Sequence, residues 1–222
     1  MKKIHDFHTH TFLSDGVLLP SEQISWAIKN GYQTIAITDH ADHSNVNHII
    51  KSIKNFKDKQ QKYYDIKILC GIEITHVPPK EINSLAEYAR LNGADIIVVH
   101  GETLAEPVPP ETNLYALKSD FVDILAHPGL LSEEEAQIAK SNGKFIEITT
   151  RPGHSASNGI AAKLHSLYNF DLIINSDSHG PKDFNTYEKC LKILLGCGIE
   201  EHETEKIMFE NPEKLLKKIR ER

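Results

Sequence analysis

Two histidines separated by one residue, His8-Thr9-His10, stand within the first ten positions of the chain. In an extended segment residues i and i+2 share a side. The two imidazoles would therefore face one point, with Phe7 and Thr9 facing away. Shortly after, Ser14-Asp15-Gly16 is a turn sequence able to fold the Asp15 carboxylate back over that point. The same residue types recur downstream in Thr38-Asp39-His40, Gly71-Ile72-Glu73, His100, Ala126-His127-Pro128 and Asp177-Ser178-His179. Imidazole with carboxylate is a donor set for divalent transition metals. The 13 histidines are spread over all 222 residues, which excludes a tag-like tract. One histidine at such a place is ordinarily a hydrogen-bonded polar residue and nothing more. The joint pattern points instead to a single shared metal site.

Whether these residues can meet depends on the elements that carry them. Short runs rich in Ile and Val at 3–7, 34–38, 66–71, 95–99, 121–126, 144–149 and 171–175 read as strands. Helical patterns fill 21–30, 45–63, 81–92, 133–142 and 159–168, with a weaker one at 113–118. Two further helices, near 186–195 and 203–219, close the chain, the second divided at Pro212. Ser21 with Glu22, and Ser132 with the acids after it, supply helix-start caps and charges. Gly31, Gly93 and Gly143 follow helix ends. Strands alternating with helices imply parallel pairing through right-handed crossovers. Seven such units predict a closed or nearly closed α/β barrel, with an open doubly wound sheet as the rival. In both, functional groups stand at the C-terminal ends of the strands. Six of the seven runs end in His, Asp or Glu; the sixth has no plain ligand at its end.

Composition narrows the field. The charge of -6 argues against a general nucleic-acid binder with a basic face. The apolar runs are far too short to span a bilayer, and the polar start has no signal-peptide core. Three cysteines, Cys70, Cys190 and Cys197, form neither a disulfide framework nor a metal spacing, so a reducing cytoplasm is the expected compartment.

Taken together, the motifs around His8, His10, Asp15, His40, Glu73, His100, His127, Asp177 and His179 resemble those of the polymerase and histidinol phosphatase (PHP) family. They run in that family's order from residue 8 to residue 179. The resemblance implies a distorted seven-stranded (β/α) TIM-like barrel, one domain over residues 1–222, with C-terminal helices over 184–222. It implies two or three divalent ions (Zn, Mn or Fe) and hydrolysis of phosphoesters. By similarity, His8, His10, Glu73 and Asp177 would hold one ion. Glu73 would bridge to a second, held also by His100 and His127, and Asp15, His40 and His179 would hold a third. An acid at position 15, where several members carry His, makes that third site harder and more tolerant of Mn or Fe.

Such a constellation suits phosphate monoesters, which are anionic and hydrolyse very slowly unaided. Three divalent ions outweigh three carboxylates, so the site is locally positive in an acidic protein. Water between two ions about 3.5–4 Å apart loses a proton near neutral pH and can attack phosphorus in line. Glu73 and Asp177 thus count as catalytic through the ions they hold. The chain has no covalent phosphatase loop and no Gly-rich Lys-Ser/Thr loop. After the sixth run, Arg151 can take a phosphate bidentately, and His154 can bind the ester or protonate its leaving oxygen. His43 is a third substrate-binding candidate. Asp6 and Asp39 have two readings of equal standing: orienting ligand imidazoles, or plain hydrogen bonds within the barrel. His5, His48, His165 and His202 read as bland, the last three as solvent-leaning helical residues, and His76 is unassigned. The basic segment 214–222 reads as a helix packing Leu215, Leu216 and Ile219 on the barrel.

The leading expectation is a phosphatase for a small phosphorylated metabolite of the histidinol phosphate type. Two other readings stay open: a phosphodiesterase, exonuclease or phosphotyrosine phosphatase with the same metals, and a non-catalytic metal-binding module. No aromatic platform for bases is evident, which limits any nucleic-acid substrate to nucleotide size.

Overall fold

The computed structural model describes residues 3–222. Seven strands form one parallel sheet in the order β1 (Ile4–Asp6), β2 (Tyr32–Ile37), β4 (Lys67–Ile74), β5 (Ile96–His100), β6 (Ile124–Ala126), β7 (Phe145–Thr149) and β8 (Asp171–Asn175). A two-residue strand the sequence did not announce, β3 (His40–Ala41), pairs beside β4. Neighbours in space are neighbours in sequence, so the strand order never reverses. That excludes the doubly wound sheet. The edges β1 and β8 approach through a parallel bridge between Thr9 and Ser178, and His10 N donates to Ser178 O at 2.8 Å. Side chains complete the seam. Asn175 Oδ1 accepts from Phe7 N at 2.9 Å, and Asp6 Oδ1 accepts from Ser176 N at 3.1 Å. The result is a nearly closed, distorted (β/α)7 barrel.

Helices cover the outside: α1 (Pro20–Lys29), α2 (Val46–Gln60), α3 (Ile82–Leu91), α4 (Thr112–Lys118), α5 (Glu133–Ser141), α6 (Asn158–Tyr168) and α7 (Tyr187–Gly196). Outward strand residues such as Ile35, Ile72, Ile97 and Ile146 join helix residues such as Ile24, Ile49 and Leu85 in the larger apolar core. Ser132 caps α5 as expected, its Oγ accepting from Glu135 N at 3.2 Å. Ser21 does not cap α1. That helix starts one residue earlier, at Pro20, and the Glu22 carboxylate takes Leu19 N at 2.8 Å. Gly31, Gly93 and Gly143 adopt φ of 81°, 103° and 58°, the left-handed conformation that ends a helix.

Period two sorts each strand's inward residues into two storeys. β5 sends Ile96 and Val98 into the lower barrel and ends at His100; β7 places Phe145 below Glu147; β8 places Ile173 below Asn175. The lower storey is a separate apolar cluster that includes Phe7, Ala36 and Leu69. Leu215 and Leu216 of α9 (Asn211–Arg220) complete it, with Ile219 packed against them. The C-terminal helix therefore packs on the barrel interior, as the apolar spacing of that basic segment anticipated. Pro212 lies in its first turn, after α8 (Glu201–Glu205) and a π turn over Lys206–Glu210.

Candidate metal centre

On the apolar storey stands a polar one. The Glu73 carboxylate, carried near the end of β4 and fully buried, lies at its centre. Its oxygens stand 3.2 Å from His8 Nε2, 3.4 Å from His127 Nε2, 3.6 Å from His10 Nε2 and 2.7 Å from His40 Nδ1. Asp177 is its counterpart after β8, with Oδ1 at 3.1 Å from His10 Nε2 and 3.7 Å from His8 Nε2. Towards solvent, Asp15 reaches His179 Nε2 at 3.1 Å and His40 Nε2 at 3.6 Å.

The donor atoms sort into groups that each fit within 4.8 Å: His8, His10 and Asp177; Glu73, His100 and His127; His10, Asp15, His40 and His179. All nine residues singled out as ligands meet at one mouth. The grouping resembles the implied division, except that Glu73 falls with His100 and His127 and not with His8, His10 and Asp177, and that His10 stands at the border of two groups.

The side chains fit cations better than they fit one another. Buried His8 Nε2, both ring nitrogens of His10 and both Glu73 oxygens lack a hydrogen-bond partner of good geometry. Leaving polar atoms dry costs about 1–3 kcal/mol each, a cost that a bound ion removes. Burial, opposed by Glu73, drops His100 to about 2, and burial with the neighbouring His40 charge takes His10 well below its ordinary value. Both rings are therefore held neutral, the form that ligates metal. Burial raises the Glu73 carboxyl, but His8 and His40 outweigh it and hold Glu73 ionised.

The PHP domain family profile matches residues 6–188. The chain belongs to the PHP family. An uncharacterised protein of Methanocaldococcus jannaschii is 45% identical over 215 residues, covering 96% of this chain and 99% of the relative. A probable phosphatase of Thermoanaerobacter sp. is 29% identical over 219 residues, with 90% and 89% covered. A solved histidinol phosphate phosphatase from Lactococcus lactis, complexed with zinc, L-histidinol and phosphate, matches with TM-score 0.61 at 16% identity. It covers 89% of this chain and 95% of that one, a likeness of fold.

Backbone strain concentrates at this PHP site. His127 and Asp177 adopt φ of 25° and 51° without being glycine, conformations that persist only where surroundings over-determine them. The turn bearing Asp15 folds so tightly that a Cβ on Gly16 would collide with His10 O.

Several expectations need correction. His43 is more than half exposed and faces Glu81 Oε2 at 3.8 Å, because the turn after β3 points it outward; it joins none of the groups. Asp6 orients no imidazole. It accepts from Ser176 N, His8 N and Tyr32 Oη, setting the backbone at the seam. Asp39 likewise accepts from Thr11 N, Thr11 Oγ1 and Ser14 Oγ at 2.7–2.8 Å, and so fixes the turn that carries Asp15. Phe7 does not turn away from the site either: β1 ends at Asp6, and Phe7 drops into the lower storey. His165 is buried and bonds Phe170 O, whereas His48 and His202 are exposed as anticipated.

Arg151 and His154 are both at the mouth. Arg151 Nη1 donates to Asp177 O at 3.1 Å and lies 2.7 Å from His179 Nδ1. His154 lies over His127, ring centroids 4.4 Å apart, and bonds Thr103 Oγ1 at 2.7 Å. Burial, His127 and Arg151 lower it to about 4.

Three residues were missed. Glu147, in mid-strand and fully buried, accepts from His8 Nδ1 at 2.8 Å and from Asn175 Nδ2 at 2.8 Å. A carboxylate only accepts, so the proton sits on Nδ1 and His8 Nε2 is free to ligate. A signal existed: it is the single acid inside an otherwise apolar β7. His76 and Glu106 stand together at the rim with His100. No spacing rule links a loop acid to them.

Proposed function

We propose that this protein is a metal-dependent phosphoesterase that removes phosphate from a small metabolite, of the histidinol phosphate type. One observation carries this: nine imidazole and carboxylate side chains from six strand ends converge on buried, unpartnered donor atoms, with a guanidinium on their rim. The names of the relatives support it. The Thermoanaerobacter relative is a probable phosphatase, and the Lactococcus structure is of a phosphatase bound to zinc, L-histidinol and phosphate.

His8, His10, Glu73 and Asp177 would hold a first divalent ion, Glu73 with His100 and His127 a second, and Asp15, His40 and His179 a third. Zn, Mn or Fe suits this mixed donor set. When bound, the ions supply a nucleophile from water at neutral pH and charge to hold the phosphoryl oxygens. The chain's own residues do the rest. Arg151, close enough to Asp177 and His179 to share their ligand, donates to a phosphoryl oxygen. His154, lying over His127, would face the leaving oxygen. A bound phosphate dianion opposes the burial that depresses its pKa, so the ring can hold a proton for the leaving oxygen. The apolar storey beneath seals the site from water below.

The three free cysteines, two of them buried, suit a reducing cytoplasm. No helix among the described residues is long and apolar enough to cross a membrane. We place the activity in one domain over residues 1–222.

The test is elemental analysis followed by turnover of the metal-loaded protein on a panel of phosphomonoesters, histidinol phosphate first, against a phosphodiester. Monoester hydrolysis abolished by chelator supports the proposal. Preference for the diester moves the protein to nucleotide chemistry. No turnover of either ester with full metal content makes it a binding module.

A further inference from the structure

The loop after β5, residues 101–111, crosses the mouth with its feet pinned. Glu102 N donates to Asn113 Oδ1 and Asn113 N to Glu102 Oε1, both at 3.0 Å, and Asn113 Nδ2 donates to Pro128 O at 2.8 Å. Thr103 is tied to His154. Beyond that foot, Leu104 and Glu106 are exposed, and the carboxylate of Glu106 bends back into the mouth.

Three imidazole Nε2 atoms converge on it: His100 at 3.4 Å, His154 at 3.6 Å and His76 at 3.7 Å. His76 approaches the His100 ring edge-on at 4.9 Å, from a backbone held at φ 54°. Donors bound at about 2.0–2.2 Å to one ion stand about 3–3.5 Å apart. Glu106 therefore keeps the spacing from His100 of a fellow ligand. His76, His100 and Glu106 also fall within 4.8 Å of one another, and His100 equally belongs with Glu73 and His127. An ion on His100 thus has protein donors on both its inner and its outer side.

Glu106 also spans the gap from His100 to His154, the groups proposed above to hold the second ion and to protonate the leaving oxygen. On that reading a phosphoester would lie across the same gap. An anion of the protein thus occupies the place of an anion of the substrate. The side chain is 45% exposed, and its bonds inward are only to imidazole edges, so it can leave without breaking a backbone contact.

We infer that Glu106, assisted by His76, is a displaceable ligand of the second ion, capping the resting site until a substrate phosphate takes its place. This rests on the metal reading above. A catalytic site needs one open position, and here the opening would be made by exchange: the bond from Glu106 to the ion breaks as a phosphate oxygen takes its place, and no backbone contact is lost.

The test uses wild type, Glu106→Gln and His76→Ala, loaded with Zn²⁺ or Mn²⁺. Metal affinity is read by chelator competition and inorganic phosphate binding by calorimetry. Glu106→Gln should bind one ion about tenfold more weakly and, at saturating metal, bind phosphate about tenfold more tightly, because no internal anion competes. His76→Ala should weaken the same ion alone. Unchanged phosphate affinity in a Glu106→Gln protein of normal metal content overturns this inference while leaving the phosphoesterase reading intact. A wild type that takes up no divalent ion overturns both.

Discussion

Glu147 offers the sharpest test of how the barrel prepares its ligands. Its Oε2 is the acceptor for both His8 Nδ1 and Asn175 Nδ2, while Oε1 is buried without a partner. Burial pushes this carboxyl up, but His8, at hydrogen-bond distance, holds it below its ordinary value, so it is ionised at neutral pH. The charge makes His8 a better ligand, and the bond fixes which nitrogen faces the ions. Glu147→Gln separates these effects. The amide oxygen can accept both bonds in the place of Oε2, and the amide nitrogen fills the place of Oε1. Geometry survives and the charge is lost. Glu147→Ala loses both.

Removing the outer partner of a metal-bound histidine typically costs 10–100-fold in metal affinity or activity. The 2.8 Å bond is fully buried, so solvent does not replace it. Glu147→Gln is therefore expected near the low end, about 1.4 kcal/mol, and Glu147→Ala near the high end, about 2.7 kcal/mol. The assay is chelator competition on the loaded protein, with circular dichroism to confirm the fold. Only the ion on His8, His10 and Asp177 should weaken. A folded Glu147→Ala protein with wild-type affinity for every ion would refute the reasoning.

Arg151→Ala should raise KM for a phosphomonoester about tenfold with a smaller change in kcat; an unchanged KM removes Arg151 from phosphate binding. Asp123 is buried at the foot of the barrel, where Arg90 Nη2 reaches Oδ2 at 2.6 Å and Arg222 Nη2 reaches Oδ1 at 2.7 Å. Asp123→Asn breaks this buried network and should cost about 3–5 kcal/mol in urea unfolding. Burial raises the Asp123 carboxyl, but the two arginines hold it below its ordinary value. Its contribution is therefore complete above the unfolded value of about 3.9 and is lost as pH falls through the lower folded one; Asp123→Asn should flatten that acid limb. Leu215→Ala opens a cavity in the lower storey and should cost about 2–5 kcal/mol, read as a lowered Tm; a loss under 1 kcal/mol would mean that α9 does not fill the barrel.

The sequence disclosed what regular geometry repeats. Strand periodicity set the seven units, and ligand types at their ends located all nine meeting residues. Boundaries drifted where tertiary contacts outbid pattern. β4 runs through Gly71 to Ile74, because a side chain at position 71 would meet Ile96 and Thr38, and glycine keeps the strand close to its neighbours. For Asp6 and Asp39 the sequence leaves an imidazole partner and a plain hydrogen bond equally open, and the fold takes the second. In the fold the Asp6 oxygens are claimed by Ser176 N, His8 N and Tyr32 Oη at the seam, and those of Asp39 by Thr11 N and the hydroxyls of Thr11 and Ser14 in the turn that carries Asp15. Glu147 was hidden for a different reason. It precedes the strand end by one inward step, so a rule looking at strand termini passes over it. Glu106 lies on a loop whose path depends on its pinned feet.

The two storeys explain why a strained site can be built in so small a barrel. Positive φ at His127 and Asp177 costs of order 1–3 kcal/mol each, and the dry donor atoms add to that. Something must keep the mouth from relaxing. The inward faces that end in His100, Glu73 and Glu147 begin with Ile96, Leu69 and Phe145, packed on Leu215 and Leu216. A close-packed interior is not continuously deformable, so each ligand stands on a column whose base cannot shift. The C-terminal helix touches none of the donors, yet it fixes the floor from which every one of them is aimed. On this argument a cavity at Leu215 should loosen metal binding at the far end of the barrel as well as lowering Tm. Chelator competition on folded Leu215→Ala would show it, and wild-type metal affinity in that variant would mean that the upper storey holds its shape unaided.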